Sequence, residues 1–119
     1  MLQHVSLEVG RDQVERCTAF WKLLGFVQVE PPPALRDRAT WLERDGTQVH
    51  LMLVDDPTVP PQGHAAVVAV EYEATLAALR EAGFEPEPRS EHWGVPRSFV
   101  HDPIGHRVEV MSAPPPRAR

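Results

Sequence analysis

Three landmarks recur along this 119-residue chain at nearly one spacing, and that recurrence constrains the fold more than any other feature. His4 returns as His64, Leu24-Gly25-Phe26 as Ala82-Gly83-Phe84, and Val49-His50-Leu51-Met52 as Val108-Glu109-Val110-Met111. The offsets are 60, 58 and 59 residues. A spacing shared by motifs in different elements points to a duplicated supersecondary unit. At this length the two copies are very small modules that must share one core.

Each copy reads as βαβββ. From Gln3 to Val9 apolar and polar residues alternate, the period of a half-buried strand. Asp12 with Glu15 three residues on resembles a capping box opening a helix. Its apolar stripe is Val14, Cys17, Phe20, Trp21 and Leu24, and Gly25 is the expected stop. Phe26–Val29 is a short strand, and Pro31-Pro32-Pro33 forces an extended loop. Ala39–Glu43 and Thr47–Val54 flank Arg44-Asp45-Gly46, a hairpin signal. The pattern then restarts: strand His64–Val70, helix Glu73–Ala82 with Gly83 as stop, and a short strand at Phe84–Pro86. Strands Arg97–His101 and His106–Met111 follow, around the turn Asp102-Pro103-Ile104-Gly105. The expected division is a first module over 1–56, a linker over 57–63, a second module over 64–112 and a disordered tail over 113–119. The fold class is α+β, two tandem βαβββ modules whose curled mixed sheets enclose a concave site.

Strand alternation sorts the side chains into two faces. Val5 and Leu7, Val49 and Leu51, Ala65 and Val67, and Val108 and Val110 suit packing against a helix. The opposite faces carry His4, His50, His64 and Glu109. Imidazoles and a carboxylate are good ligands for Zn, Ni, Fe, Co or Mn, and open positions on such an ion allow Lewis-acid chemistry on substrate oxygens. His92 and His106 lie outside this symmetry and read as loop or surface residues; His101 lies beside the Asp102 turn.

Charge and composition exclude other classes. A formal net charge of -5 argues against nucleic-acid or membrane-surface partners, which need clustered positive charge. No apolar run approaches the roughly 20 residues that span a bilayer, and the N-terminus lacks a signal-peptide layout. The single cysteine, Cys17, allows no intrachain disulfide and fits a reducing cytoplasm. It falls in the apolar stripe of the first helix, the place of a packed thiol.

The residues also carry a resemblance, extending from about Leu2 to Ser112. His4, the helix end Ala19-Phe20-Trp21-Lys22-Leu23-Leu24-Gly25-Phe26, Gly63-His64, and Phe99-Val100-His101-Asp102-Pro103-Ile104-Gly105-His106-Arg107-Val108-Glu109 are similar to motifs of the vicinal-oxygen-chelate superfamily, which unites glyoxalases, bleomycin-resistance proteins and extradiol dioxygenases. The last segment is the most specific, resembling F-x-x-D-P-x-G-x-x-x-E. The resemblance implies paired βαβββ modules, with His4, His64 and Glu109 at metal positions. His50 falls where glyoxalase I enzymes place a fourth ligand, usually a glutamate, so only Glu109 remains as a carboxylate to move a proton. The basic residues that hold glutathione in glyoxalase I have no match here.

The leading expectation is therefore a metal-dependent, glyoxalase-like enzyme of lyase or isomerase type. It would chelate two adjacent oxygens of a small substrate, with Glu109 catalytic. A second reading is a binding or antibiotic-resistance protein whose cavity is lined by Trp41, Trp93, Phe99, Met52 and Met111. A third is an iron-dependent dioxygenase built on His4, His64 and Glu109. As in small members of the superfamily, the expected assembly is a homodimer with its metal site at the interface.

Overall fold

The computed structural model describes residues 1–118; Arg119, the last residue of the expected tail, lies outside them. The first half contains strand β1 (His4–Val9), helix α1 (Val14–Leu23), and strands β2 (Val27–Val29), β3 (Ala39–Arg44) and β4 (Thr47–Leu53). The second contains β5 (Ala65–Val68), α2 (Tyr72–Glu81), β6 (Glu87–Arg89), β7 (Arg97–His101) and β8 (Arg107–Met111). The two sheets have the same topology, β1-β4-β3-β2 and β5-β8-β7-β6. In each, the first and last strands of the unit pair in parallel and the other pairs are antiparallel. The duplication legible in the sequence is thus a duplication of topology. Neither sheet is strongly curled, in contrast to the curled sheets expected from the sequence.

The repeated Gly-Phe closes both helices in the same way. Gly25 and Gly83 sit at φ 91° and 94°, which a side chain would resist. Gly25 N donates to Lys22 O and Phe26 N to Trp21 O; Gly83 N donates to Arg80 O and Phe84 N to Leu79 O. This is the paired closure that satisfies a helix's last carbonyls and turns the chain back toward its sheet. The helix starts are plainer. Gln13, not Asp12, is the N-cap of α1, and no side-chain cap bond forms. A turn over residues 11–13, with Gln13 N bonded to Gly10 O, delays the helix past the expected capping box. In the second module the short strand lies at Glu87–Arg89, three residues beyond its expected start, because the residues after the α2 closure are spent crossing back to the sheet.

One apolar core spans both halves. Cys17, Phe20 and Trp21 from α1, with Leu24 at its C-cap, meet Leu76 and Leu79 from α2 over Leu42, Val49, Leu51, Val100, Val108 and Val110 of the sheets. Phe20 of the first helix meets Phe84 after the second, ring centroids 5.1 Å apart. Each fully buried aromatic or aliphatic side chain contributes about 1.5–3 kcal/mol, so this shared core ties the halves together. Polar bonds reinforce the tie: the Arg44 guanidinium donates to the carbonyls of Leu24 and Val68. His106 Nε2 donates to Glu8 O at 2.7 Å. His106 is buried, contrary to the surface position expected from sequence, because the Asp102 turn folds its ring back onto β1. Among the described residues no helix is long and apolar enough to cross a membrane.

Candidate functional site

The first module holds one pair of candidate ligands. In the parallel pairing of β1 and β4, His4 is opposite Gln48 and Ser6 opposite His50, so the two imidazoles stand on the same face, offset along the strands. Their rings stack with centroids 4.1 Å apart and 18° between planes. On its other side His50 stacks on Trp41, its cross-strand partner on β3, at 3.9 Å and 3°. The polar atoms are partnered locally: His50 Nε2 lies 2.8 Å from Gln48 Oε1, and His4 Nδ1 lies 2.8 Å from Gln3 Oε1. Burial, then the neighbouring His4, lowers the pKa of His50 from the usual 6.5. The neutral imidazole so favoured is the form with a lone pair for a metal.

The second module holds the equivalent pair. His64 immediately precedes β5, and Glu109 lies in β8 next to the strand's core residues Val108 and Val110. His64 Nε2 is 3.1 Å from Glu109 Oε1, while Nδ1 bonds Gln62 O at 2.9 Å. The backbone carbonyl on Nδ1 orients the ring so that Nε2 points at the carboxylate. Glu109 is only 7% exposed, and its other oxygen lies 3.4 Å from Arg97 Nη1. Phe99, opposite Glu109 on β7, meets the His64 ring edge-on with centroids 5.1 Å apart.

The four candidates are therefore gathered two by two. His4 with His50 and His64 with Glu109 form two separate pairs, candidate half-sites, and no group of three or more potential ligands occurs among the described residues of one chain. The chemistry of the donors nonetheless suits a divalent ion. Two ligand atoms about 2.1 Å from one ion, at octahedral or tetrahedral angles, stay roughly 3.0–3.4 Å apart. The 3.1 Å between His64 Nε2 and Glu109 Oε1 falls in that range without rearrangement. The rings of His4 and His50 are stacked nearly parallel, so their in-plane lone pairs do not converge on one point, and His50 Nε2 would have to leave Gln48 to take a metal.

Several features escape a reading of the sequence. Trp41 stacks flat against His50, and Trp93 is held by a bond from Nε1 to Ala113 O. Phe99 is flanked by Arg89, Arg97 and Arg107, whose guanidinium carbons lie 5.3, 5.6 and 4.9 Å from its ring centroid. Period-two alternation of Arg97 with Phe99, and of Arg107 with Glu109, was the available signal for this cluster. His92 and His101 are exposed.

Comparison with known proteins places this geometry in a family. The glyoxalase-like domain family matches residues 6–111, and the chain belongs to it. Glyoxylase I 4 of Arabidopsis thaliana is 26% identical over 122 residues, covering 93% of this chain and 70% of the relative. A protein of Bacillus anthracis described as a glyoxalase family protein superposes with a TM-score of 0.84 at 22% identity, covering 93% of each chain. Lactoylglutathione lyase from Agrobacterium tumefaciens superposes with a TM-score of 0.70 at 17% identity, covering 93% of this chain and 92% of that one. At such identities the superpositions establish the shared fold, and they agree with the family assignment within the vicinal-oxygen-chelate superfamily.

Proposed function

We propose that this glyoxalase-family protein is a metal-dependent enzyme of lyase or isomerase type that acts on a small substrate offering two adjacent oxygens. The observation that carries the reading is the His64–Glu109 pair, held 3.1 Å apart at the position topologically equivalent to the stacked His4–His50 pair. A bound divalent ion would supply Lewis acidity toward the two substrate oxygens. His4, His50, His64 and Glu109 would hold it. Glu109 has a second task, accepting a proton from one substrate carbon and returning it to the neighbouring one. Burial of Glu109 limits its access to water, and the Arg97 guanidinium steadies the charged carboxylate between transfers.

The pairwise division of the donors favours a site completed by two chains. His4 and Ser6 on β1, Ala66 on β5 and His64 just before it are exposed to solvent in the single chain. In a homodimer, the first module of one chain (residues 1–56) would face the second module (64–112) of the other, giving two symmetric sites. Residues 57–63 then serve as the linker between the two modules, and 113–118 as a tail outside the site.

Elemental analysis of the purified protein tests this reading. About one transition metal per chain is expected, with most of it lost from His64→Ala and from Glu109→Ala but retained in His92→Ala. Full retention in both His64→Ala and Glu109→Ala would sink the assignment.

A further inference from the structure

We propose that the substrate taken by this site carries an oxyanion group, carboxylate or phosphoryl, received by Arg107 and Arg89 together with Arg97. The inference rests on the site just proposed and names a chemical class for its substrate. Its observation is the convergence of three guanidinium groups on one ring. Arg89 on β6, Arg97 on β7 and Arg107 on β8 all have their guanidinium carbons within 5.6 Å of the Phe99 centroid. No two of them are further apart than twice that distance. That places three cations around a single side chain, a local excess of positive charge whatever the exact distances between them. In a chain of net charge -5, this concentration is local and opposite in sign to the whole.

The available counter-charge is incomplete. Arg89 pairs with Glu87 at 3.3 Å and Arg97 with Glu109 at 3.4 Å, while Arg107 makes no ion pair among the described residues. Phe99 offers each cation a ring face or edge, which holds the guanidinium groups without neutralising them. The patch is also continuous with the half-site: Arg97 touches Glu109, and Phe99 touches His64. An anionic group lying on this patch would leave the neighbouring part of the same small molecule beside His64 and Glu109. Guanidinium forks suit carboxylate and phosphoryl oxygens equally, and both are bound by charge-assisted hydrogen bonds.

The test is an NMR titration of the purified full chain with inorganic phosphate and, separately, with succinate, in chloride at fixed ionic strength, with metal content measured on the same samples. Both anions are expected to shift amides of β6, β7 and β8, and the tighter of the two identifies the group. Arg107→Ala and Arg89→Ala should each weaken binding about tenfold, the scale of one lost charged hydrogen bond. Arg107→Gln, which keeps the side chain's bulk, should do the same. Arg36→Ala, which removes an equal charge from an exposed ion pair with Glu30, should change affinity less than twofold. No saturable binding of either anion, an unchanged affinity in Arg107→Ala, or an equal loss in Arg36→Ala overturns the proposal. Arg107-dependent binding by a protein that holds no metal supports the proposal and instead defeats the metal reading. A metal-bearing protein that binds neither anion defeats this inference alone.

Discussion

Asp102→Ala should destabilise the protein sharply while leaving the half-site residues chemically intact. Asp102 is 4% exposed, and its Oδ1 accepts bonds from Ile104 N at 3.0 Å and His106 N at 2.8 Å. Together they fold the Asp-Pro-Ile-Gly turn and aim the His106 ring at Glu8 O. Alanine leaves both amides without that acceptor. The His106 amide is buried and costs about 1–3 kcal/mol when unsatisfied; the partly exposed Ile104 amide can find water and costs about 1 kcal/mol or less. A total near 3 kcal/mol corresponds to a fall in Tm of roughly 10–15 °C for a chain of this size. Asp102→Asn keeps an acceptor oxygen and should cost less than half as much. Urea unfolding followed by tryptophan fluorescence gives the three stabilities on one scale. A loss below about 1 kcal/mol in Asp102→Ala, or an asparagine variant as damaged as the alanine one, would refute the view that this carboxylate builds the turn.

Other outcomes follow from the same geometry. His106→Ala should lose about 1–2 kcal/mol by cutting the bond to Glu8 O, measurable by the same unfolding assay. The Cys17 thiol, fully buried and facing the Asp102 carboxylate, has its pKa pushed up from 9.0 to about 12, burial being the larger cause and Asp102 the next. It should therefore resist a thiol reagent at pH 8 until the chain unfolds. Because the unfolded thiol ionises first, its contribution to stability is complete below pH 9 and is lost as pH rises from 9 toward 12; Cys17→Ala should flatten that decline. With a true substrate, Glu109→Gln should reduce turnover by about a hundredfold or more while lowering metal content far less, since an amide cannot accept the proton. Equal losses of turnover and metal would remove the proton-transfer role.

The parts of this fold legible in the sequence were those fixed by local periodicity. Alternation in residues 3–9 and 47–54 gave the strands and separated Val49 and Leu51 from His50; the repeated Gly-Phe gave both helix ends. What was not legible depends on contacts between the halves. Nothing local to His106 says that its ring will bond a carbonyl 98 residues away. The capping pattern at Asp12 was a sound local signal overridden by the preceding turn. The ligand-type residues could be assigned to strand faces, and their grouping as His4 with His50 and His64 with Glu109 followed from parallel pairing of the first and last strands of each unit. The arginines around Phe99 were obscured because they come from three strands whose registers only the sheet defines.

The measurement that bears most directly on the shared-site account is metal content after mixing two defective chains. His4→Ala and Glu109→Ala chains should each be metal-poor alone. Co-refolded, a heterodimer has one interface site carrying both lesions and one site free of either, so about half of its sites should regain metal. Tagging the two chains differently allows the heterodimer to be isolated and its metal counted. One transition-metal ion per heterodimer is the result the account predicts. A confirmed heterodimer that recovers no metal would contradict it.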